Sequence, residues 1–129
     1  MPVKILNIVE MAYRATLEEQ EDTVLCLAHL LATGGGAEMT VLVRGNAVNY
    51  LNRRQHADQL RSGERALGNV TRHADELQTL LLAGVAVYYV EEDASERGLE
   101  KGECVAGAKA VSRAGLARFV SGFERVFHW

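Results

Sequence analysis

The stretch Val3–Val9, VKILNIV, carries two polar side chains in seven residues, and Val85–Val90, VAVYYV, carries only its tyrosine hydroxyls. Short, β-branched runs this apolar read as strands buried on both faces, the habit of a parallel sheet covered by helices. Parallel neighbours need a long crossover between them, and the intervening segments carry helical patterns. Thr16 and Glu19 have capping-box spacing, and the acids Glu18, Glu19, Glu21 and Asp22 suit a first turn. Apolar positions Val24, Leu27 and Leu31, with Cys26 and Leu30, then recur at helical spacing up to Gly34–Gly36, where a left-handed cap costs no Cβ clash.

Further along, a second strand is predicted from about Met39 to Val43 and a short helix at Ala47–Leu51. Residues 45–65 form the least regular stretch, rich in arginine, and are expected to be mobile. A helix from about Val70 to Ala83 places Leu77, Leu80 and Leu81 inward and stops at Gly84, before the strand Val85–Val90. The acidic segment Glu91–Gly98 has room for one helical turn, followed by a polar loop to about Gly102. Ala108–Val111 reads as a weak strand, Leu116–Phe123 as a helix with Leu116, Phe119, Val120 and Phe123 inward, and Arg125–Trp129 as a last strand. This alternation predicts one α/β domain over residues 1–129, a three-layer α/β/α sandwich on a mainly parallel five-stranded sheet joined by right-handed crossovers. Its core is expected around Ile5, Ile8, Val41, Val43, Val85 and Val87, each worth about 1.5–3 kcal/mol when fully buried.

Composition narrows the class. At 129 residues, 48% hydrophobic and 24% charged, the chain is the size and make-up of one globular domain. Its longest unbroken apolar run, Leu80–Val90, spans 11 residues, against the roughly 18 of a membrane span. The opening residues read as a strand, without a small-residue cleavage pattern, so a cytoplasmic protein is expected. A net charge of −3 gives no general attraction for nucleic acid or an anionic membrane. Two cysteines, Cys26 and Cys104, are too few for a disulfide framework. Residues 53–72 hold five arginines and residues 91–103 six acids, and both runs read first as solvated surface.

In an open parallel sheet, ligands bind beyond the carboxyl ends of the strands, so the loops that follow the strands are where a site belongs. These loops offer Glu10, Tyr13 and Arg14; then Arg44, Gly45 and Asn46; then Glu91, Glu92, Asp93 and Ser95. Gly34–Gly36 runs from a helix into a strand, the wrong polarity for a phosphate loop, and Gly45 stands without the rest of a dinucleotide or Walker motif. Glu91, Glu92 and Asp93 crowd like charges as acid–base or hard-metal sites do, although acids opening a helix look the same. His29, His56, His73 and His128 lack zinc spacing, so no metal and no cofactor are expected. Cys26, on or near an apolar helix face, reads as a small buried hydrophobe. Cys104, in a glycine-flanked polar loop beside Glu100 and Glu103, is a candidate reactive thiol in a setting that does not favour a thiolate.

Gly84–Leu99, GVAVYYVEEDASERGL, resembles the third strand and following loop of the DsrE/DsrF-like family, the group of the Tus sulfur-relay subunits and YchN, with Arg97-Gly98 matching its Arg-Gly pair. Val3–Tyr13 and Ser112–Trp129 are similar to the family's opening strand and closing helix and strand. In the sulfur-carrying members a cysteine ends the third strand, and its thiolate accepts sulfane sulfur as a persulfide; counted back from Arg97-Gly98, that position is Val90. Valine holds no sulfur. The resemblance therefore implies a non-catalytic DsrE-like subunit that keeps the fold and assembly, a homo-oligomer (trimer or hexamer) or a partner of related DsrE-like subunits, with an unidentified small ligand. The alternative is a sulfur-transfer or other small-ligand enzyme using Cys104, or Glu91, Glu92 and Asp93 with Arg14 and Arg44.

Overall fold

A computed structural model describes residues 3–11, 23–54, 61–62, 65–66 and 73–129. Strand β1 (Val3–Val9) is followed by helix α1 (Thr23–Thr33), strand β2 (Ala37–Val43) and a 3-10 helix at Gly45–Leu51. A two-stranded ribbon, β3 (Arg61–Ser62) with β4 (Arg65–Ala66), precedes helix α2 (His73–Leu82) and strand β5 (Ala86–Val90). Then come α3 (Glu91–Glu96), a 3-10 turn at Lys101–Glu103, β6 (Lys109–Val111), α4 (Leu116–Val120) and β7 (Arg125–His128). The main sheet has the order β6-β5-β2-β1-β7 with every pairing parallel, so the expected α/β sandwich on a parallel five-stranded sheet is what the chain forms.

The strands alternate their side chains between two cores, as the two-residue period of a strand requires. Val9, Val41, Val43, Val87 and Tyr89 face α1, α2 and the first 3-10 helix; Leu6, Ile8, Leu42 and Val90 face the other way. On that second side the described cover is Leu116, Phe119 and Val120 of α4, with Phe123 behind them, and Tyr88 stacks at a tilt on Phe119, centroids 4.8 Å apart. The helix stops fall where glycine relieves the backbone: Gly35 (φ 83°) after α1 and Gly84 (φ 88°) after α2.

One expectation, the inner face of α1, is corrected. In α1 the buried stripe is Leu25 and Ala28, with Ala32 packed beside them, while Leu27 and Leu31 are exposed. The helix is apolar nearly all round, so periodicity alone does not choose its inner face. The side chains of Val24, Cys26 and Leu30 lie outside the description, as does the whole Thr16–Glu19 segment. The short helix expected at Ala47–Leu51 forms as the 3-10 helix Gly45–Leu51, and Ala47, Val48, Tyr50 and Leu51 are all fully buried in it, with Tyr50 stacked on His73 at a centroid distance of 4.3 Å. Residues 55–60, 63–64 and 67–72 of the arginine-rich connection are outside the described set.

Candidate functional site

The parallel sheet directs every strand's carboxyl end to one edge, and residues from four loops meet there. Their centre is Asp93, the third residue of α3, whose side chain is only 10% exposed. One carboxylate oxygen accepts the backbone N–H of Gly45 at 2.8 Å, the other a guanidinium N–H of Arg113 at 2.5 Å. Burial alone would push this carboxyl up, but the Gly45 and Arg113 bonds and the positive charges of Arg113 and Arg97 outweigh it and hold it below its ordinary value. Asp93 thereby caps the 3-10 helix that follows β2, across 48 residues of sequence.

The neighbouring groups are also committed. Arg97 donates from Nε and Nη2 to Asn46 Oδ1 at 3.3 and 3.0 Å, and from Nη1 to the Asp93 carbonyl at 3.1 Å. Gly98 follows with φ 74°, ending α3 in the left-handed turn, which gives the Arg97-Gly98 pair its local reason. Glu92 accepts the Arg113 backbone N–H at 2.6 Å, Glu96 accepts its guanidinium at 2.9 Å, and Glu91 stands exposed. The acidic trio thus splits into two bonded members, Asp93 and Glu92, and an exposed Glu91. Among the described residues no group of three or more His, Cys, Asp or Glu side chains is placed to hold a metal ion.

A second cluster lies beside the first. Glu10 Oε2 is 2.7 Å from His128 Nε2, and Glu10 Oε1 is 3.8 Å from Arg44 Nε. The Glu10 N–H donates to the Trp129 carbonyl at 2.9 Å, tying the ends of β1 and β7. Gly45 (φ 56°) sits against this carboxylate: a Cβ there would stand 3.2 Å from Glu10 Cγ. Val90 is 0% exposed, its side chain among Leu6, Ile8 and Leu42 on the α4 side of the sheet. Tyr13 and Arg14 lie outside the described residues. Glu10, Arg44, Asn46, Glu92, Asp93 and Arg97 are therefore brought to one edge, and Val90 is sealed beneath it. Arg113 and His128 were missed in the sequence, although both lie at the carboxyl ends of strands and the loop rule applied to β6 and β7 selects them.

Cys104 is elsewhere. It is buried rather than loop-exposed, because Asn52 and Cys104 form an antiparallel bridge, with Arg53 N–H donating to the Glu103 carbonyl at 2.9 Å and Val105 N–H to Leu51 at 2.8 Å. The thiol lies 3.6 Å from the Glu100 carbonyl. Burial, and then the charge of Glu103, push it up, against a smaller opposing pull from Arg53, so it is held as a thiol at neutral pH. It borders a cavity of about 270 Å³ with Tyr89, Arg53, Lys101, Val105 and Ala108.

Comparison with solved structures places this arrangement among known folds. The chain aligns with the YchN protein from E.coli at a TM-score of 0.74 and 17% identity, over 100% of both chains. It has the YchN fold. The same fold is matched in a protein of unknown function from Methanobacterium thermoautotrophicum, with a TM-score of 0.58, 15% identity and 98% and 99% of the two chains covered. A conserved protein of unknown function from Bacteroides thetaiotaomicron matches with a TM-score of 0.65 and 13% identity, over 98% of this chain and 94% of that one. No protein-family model matches the sequence, and no curated protein matches it significantly. In the YchN fold of this chain, no helix among the described residues is long and apolar enough to cross a membrane.

Proposed function

We propose that the chain is a DsrE-like protein that acts by binding and assembly rather than by carrying sulfur. The observation that carries this is Val90: the position counted as the family's carrier cysteine is a valine with no exposed surface, packed among Leu6, Ile8 and Leu42. A sulfur carrier needs an accessible thiolate, and Cys104 is buried and protonated. The competing reading, an enzyme working through Cys104 or the acidic loop, meets Glu92 and Asp93 already bonded to Gly45 and Arg113.

The assembly half rests on β7. All four of its residues are exposed, and Val126, Phe127 and nearby Trp129 present apolar surface on the sheet's edge strand. An edge of this kind is covered in functional proteins by a further chain or by blunting features. A homo-oligomer, trimer or hexamer, or union with related DsrE-like subunits, covers it here, in a cytoplasmic setting with no nucleic acid or membrane partner. Incubation with sodium polysulfide followed by intact-mass measurement should give no sulfur adduct on the native protein. An adduct that disappears in Cys104→Ser would overturn the reading. Native mass spectrometry should find three or six copies, and a strict monomer at micromolar concentration would remove the assembly half.

A further inference from the structure

The main sheet ends in two edge strands, β6 and β7. β6 is short and carries Lys109, a charge that discourages a further strand. β7 lacks that guard: Arg125–His128 contains neither proline nor lysine, and all four residues are exposed. Its backbone direction is fixed by its last bonds to β1. The Trp129 N–H donates to the Ile8 carbonyl and the Trp129 carbonyl accepts the Glu10 N–H, both at 2.9 Å, so Trp129 turns its backbone groups toward β1. Strand residues alternate in this respect, so Phe127 and Arg125 do the same, in register with Asn7 and Ile5. Val126 and His128 therefore turn their N–H and carbonyl groups outward, and among the described residues no strand lies beyond them.

We propose that β7 pairs antiparallel with β7 of a second copy of this chain, across a two-fold axis at Val126, joining the two sheets into one. A strand that meets itself about a two-fold axis is antiparallel to its counterpart, and every contact occurs twice. Charge selects the register. With the axis at Val126, that residue exchanges both backbone hydrogen bonds with its counterpart, and Arg125 lies opposite Phe127 of the second copy, a cation on an aromatic face. Glu124, the exposed residue just before β7, then lies opposite His128 of the second copy. His128 holds Glu10 through Nε2 at 2.7 Å, which leaves Nδ1 to donate to that Glu124. Moving the axis one residue to Phe127 sets His128 against Val126 and parts it from Glu124, so the opposite charges lose the directly facing positions where they contribute. This rests on the assembly reading and names its interface; a trimer without edge pairing would remove it and leave that reading standing.

The test is disulfide trapping in the full chain. Residues paired in this way stand about 5.5 Å apart at Cα, inside the roughly 4.4–6.8 Å that a disulfide spans, whereas the two copies of Phe127 sit diagonally, about 7–8 Å apart. Under mild oxidation with diamide, Val126→Cys should form a covalent dimer at least tenfold faster than Phe127→Cys or the wild-type protein, whose own Cys26 and Cys104 give the background. Val126→Pro removes an outward N–H and no bond to β1. It should raise the concentration at which copies separate in native mass spectrometry at least tenfold, with an unchanged circular dichroism spectrum. Should the proline disturb the fold, Glu124→Lys at its exposed position should give a shift of about tenfold by setting a cation against His128 twice over. No dimer from Val126→Cys, equal trapping in Phe127→Cys, or a separation concentration unmoved by both edge variants would each overturn the proposal.

Discussion

Replacing Asp93 with alanine removes the acceptor that joins three loops, and its cost follows from the geometry. The Gly45 N–H to carboxylate bond is 2.8 Å long and part-buried, and charge-assisted bonds of this kind contribute about 1.5–3 kcal/mol. Arg113 adds nothing to that figure, because it is half exposed and keeps Glu96 as a partner. The expected loss for Asp93→Ala is therefore about 1.5–3 kcal/mol, or roughly 5–12 °C in Tm for a domain of this size. Asp93→Asn retains an oxygen for Gly45 but loses the charge, so it should fall between wild type and alanine. The carboxyl is held below its ordinary value in the folded state, so its contribution is present in full above the unfolded value near about 4 and is lost as pH falls through the folded one. Urea unfolding followed by circular dichroism at pH 7 and at steps below pH 4 reads both parts. A gap under about 0.5 kcal/mol at pH 7, well short of a charge-assisted bond, or one that stays constant on acidification, would refute the reasoning.

Val90→Ala should cost about 1.5–3 kcal/mol by transfer and cavity terms, with an unchanged urea m-value, since the side chain is fully enclosed. A neutral result would mean the position is not packed as described. Gly45→Ala forces a side chain into φ 56° and against Glu10, and should lower stability by about 1–2 kcal/mol, measured by the same unfolding curve. Burial of Cys104 and Tyr89 pushes both groups up, so their contribution to stability is full below the unfolded thiol range and declines as pH rises through the folded values. Iodoacetamide rates against pH should show a higher midpoint for native Cys104 than for the urea-unfolded chain, and the reverse order would contradict its burial.

The parts of the fold legible in the sequence are those where one local signal decides the outcome. β1 is a nearly continuous apolar run and β5 a continuous one, Gly35 and Gly84 end helices by left-handed turns, and Leu116, Phe119, Val120 and Phe123 keep helical spacing onto one core. What was not legible depends on contacts far apart in sequence. Strand order is one case, since nothing in VKILNIV announces pairing with both Ala37–Val43 and Arg125–His128. Cys104 is another: its loop is polar in composition, and only the bridge to Asn52 buries it. The acidic loop shows the same limit at the site. Three adjacent acids look alike in sequence, yet Gly45, 48 residues away, and Arg113, 20 residues away, select Asp93 as the buried member.

The pairing of Ile5 with Arg125 sets a timetable for synthesis. One flank of β1 has no partner until a strand translated some six to twenty-four seconds later, at roughly 5–20 residues per second, emerges and docks. During that interval a nascent chain offers an open β template to its neighbours on the same message. A chaperone resting on that flank would then govern yield more than the folded domain's own strength.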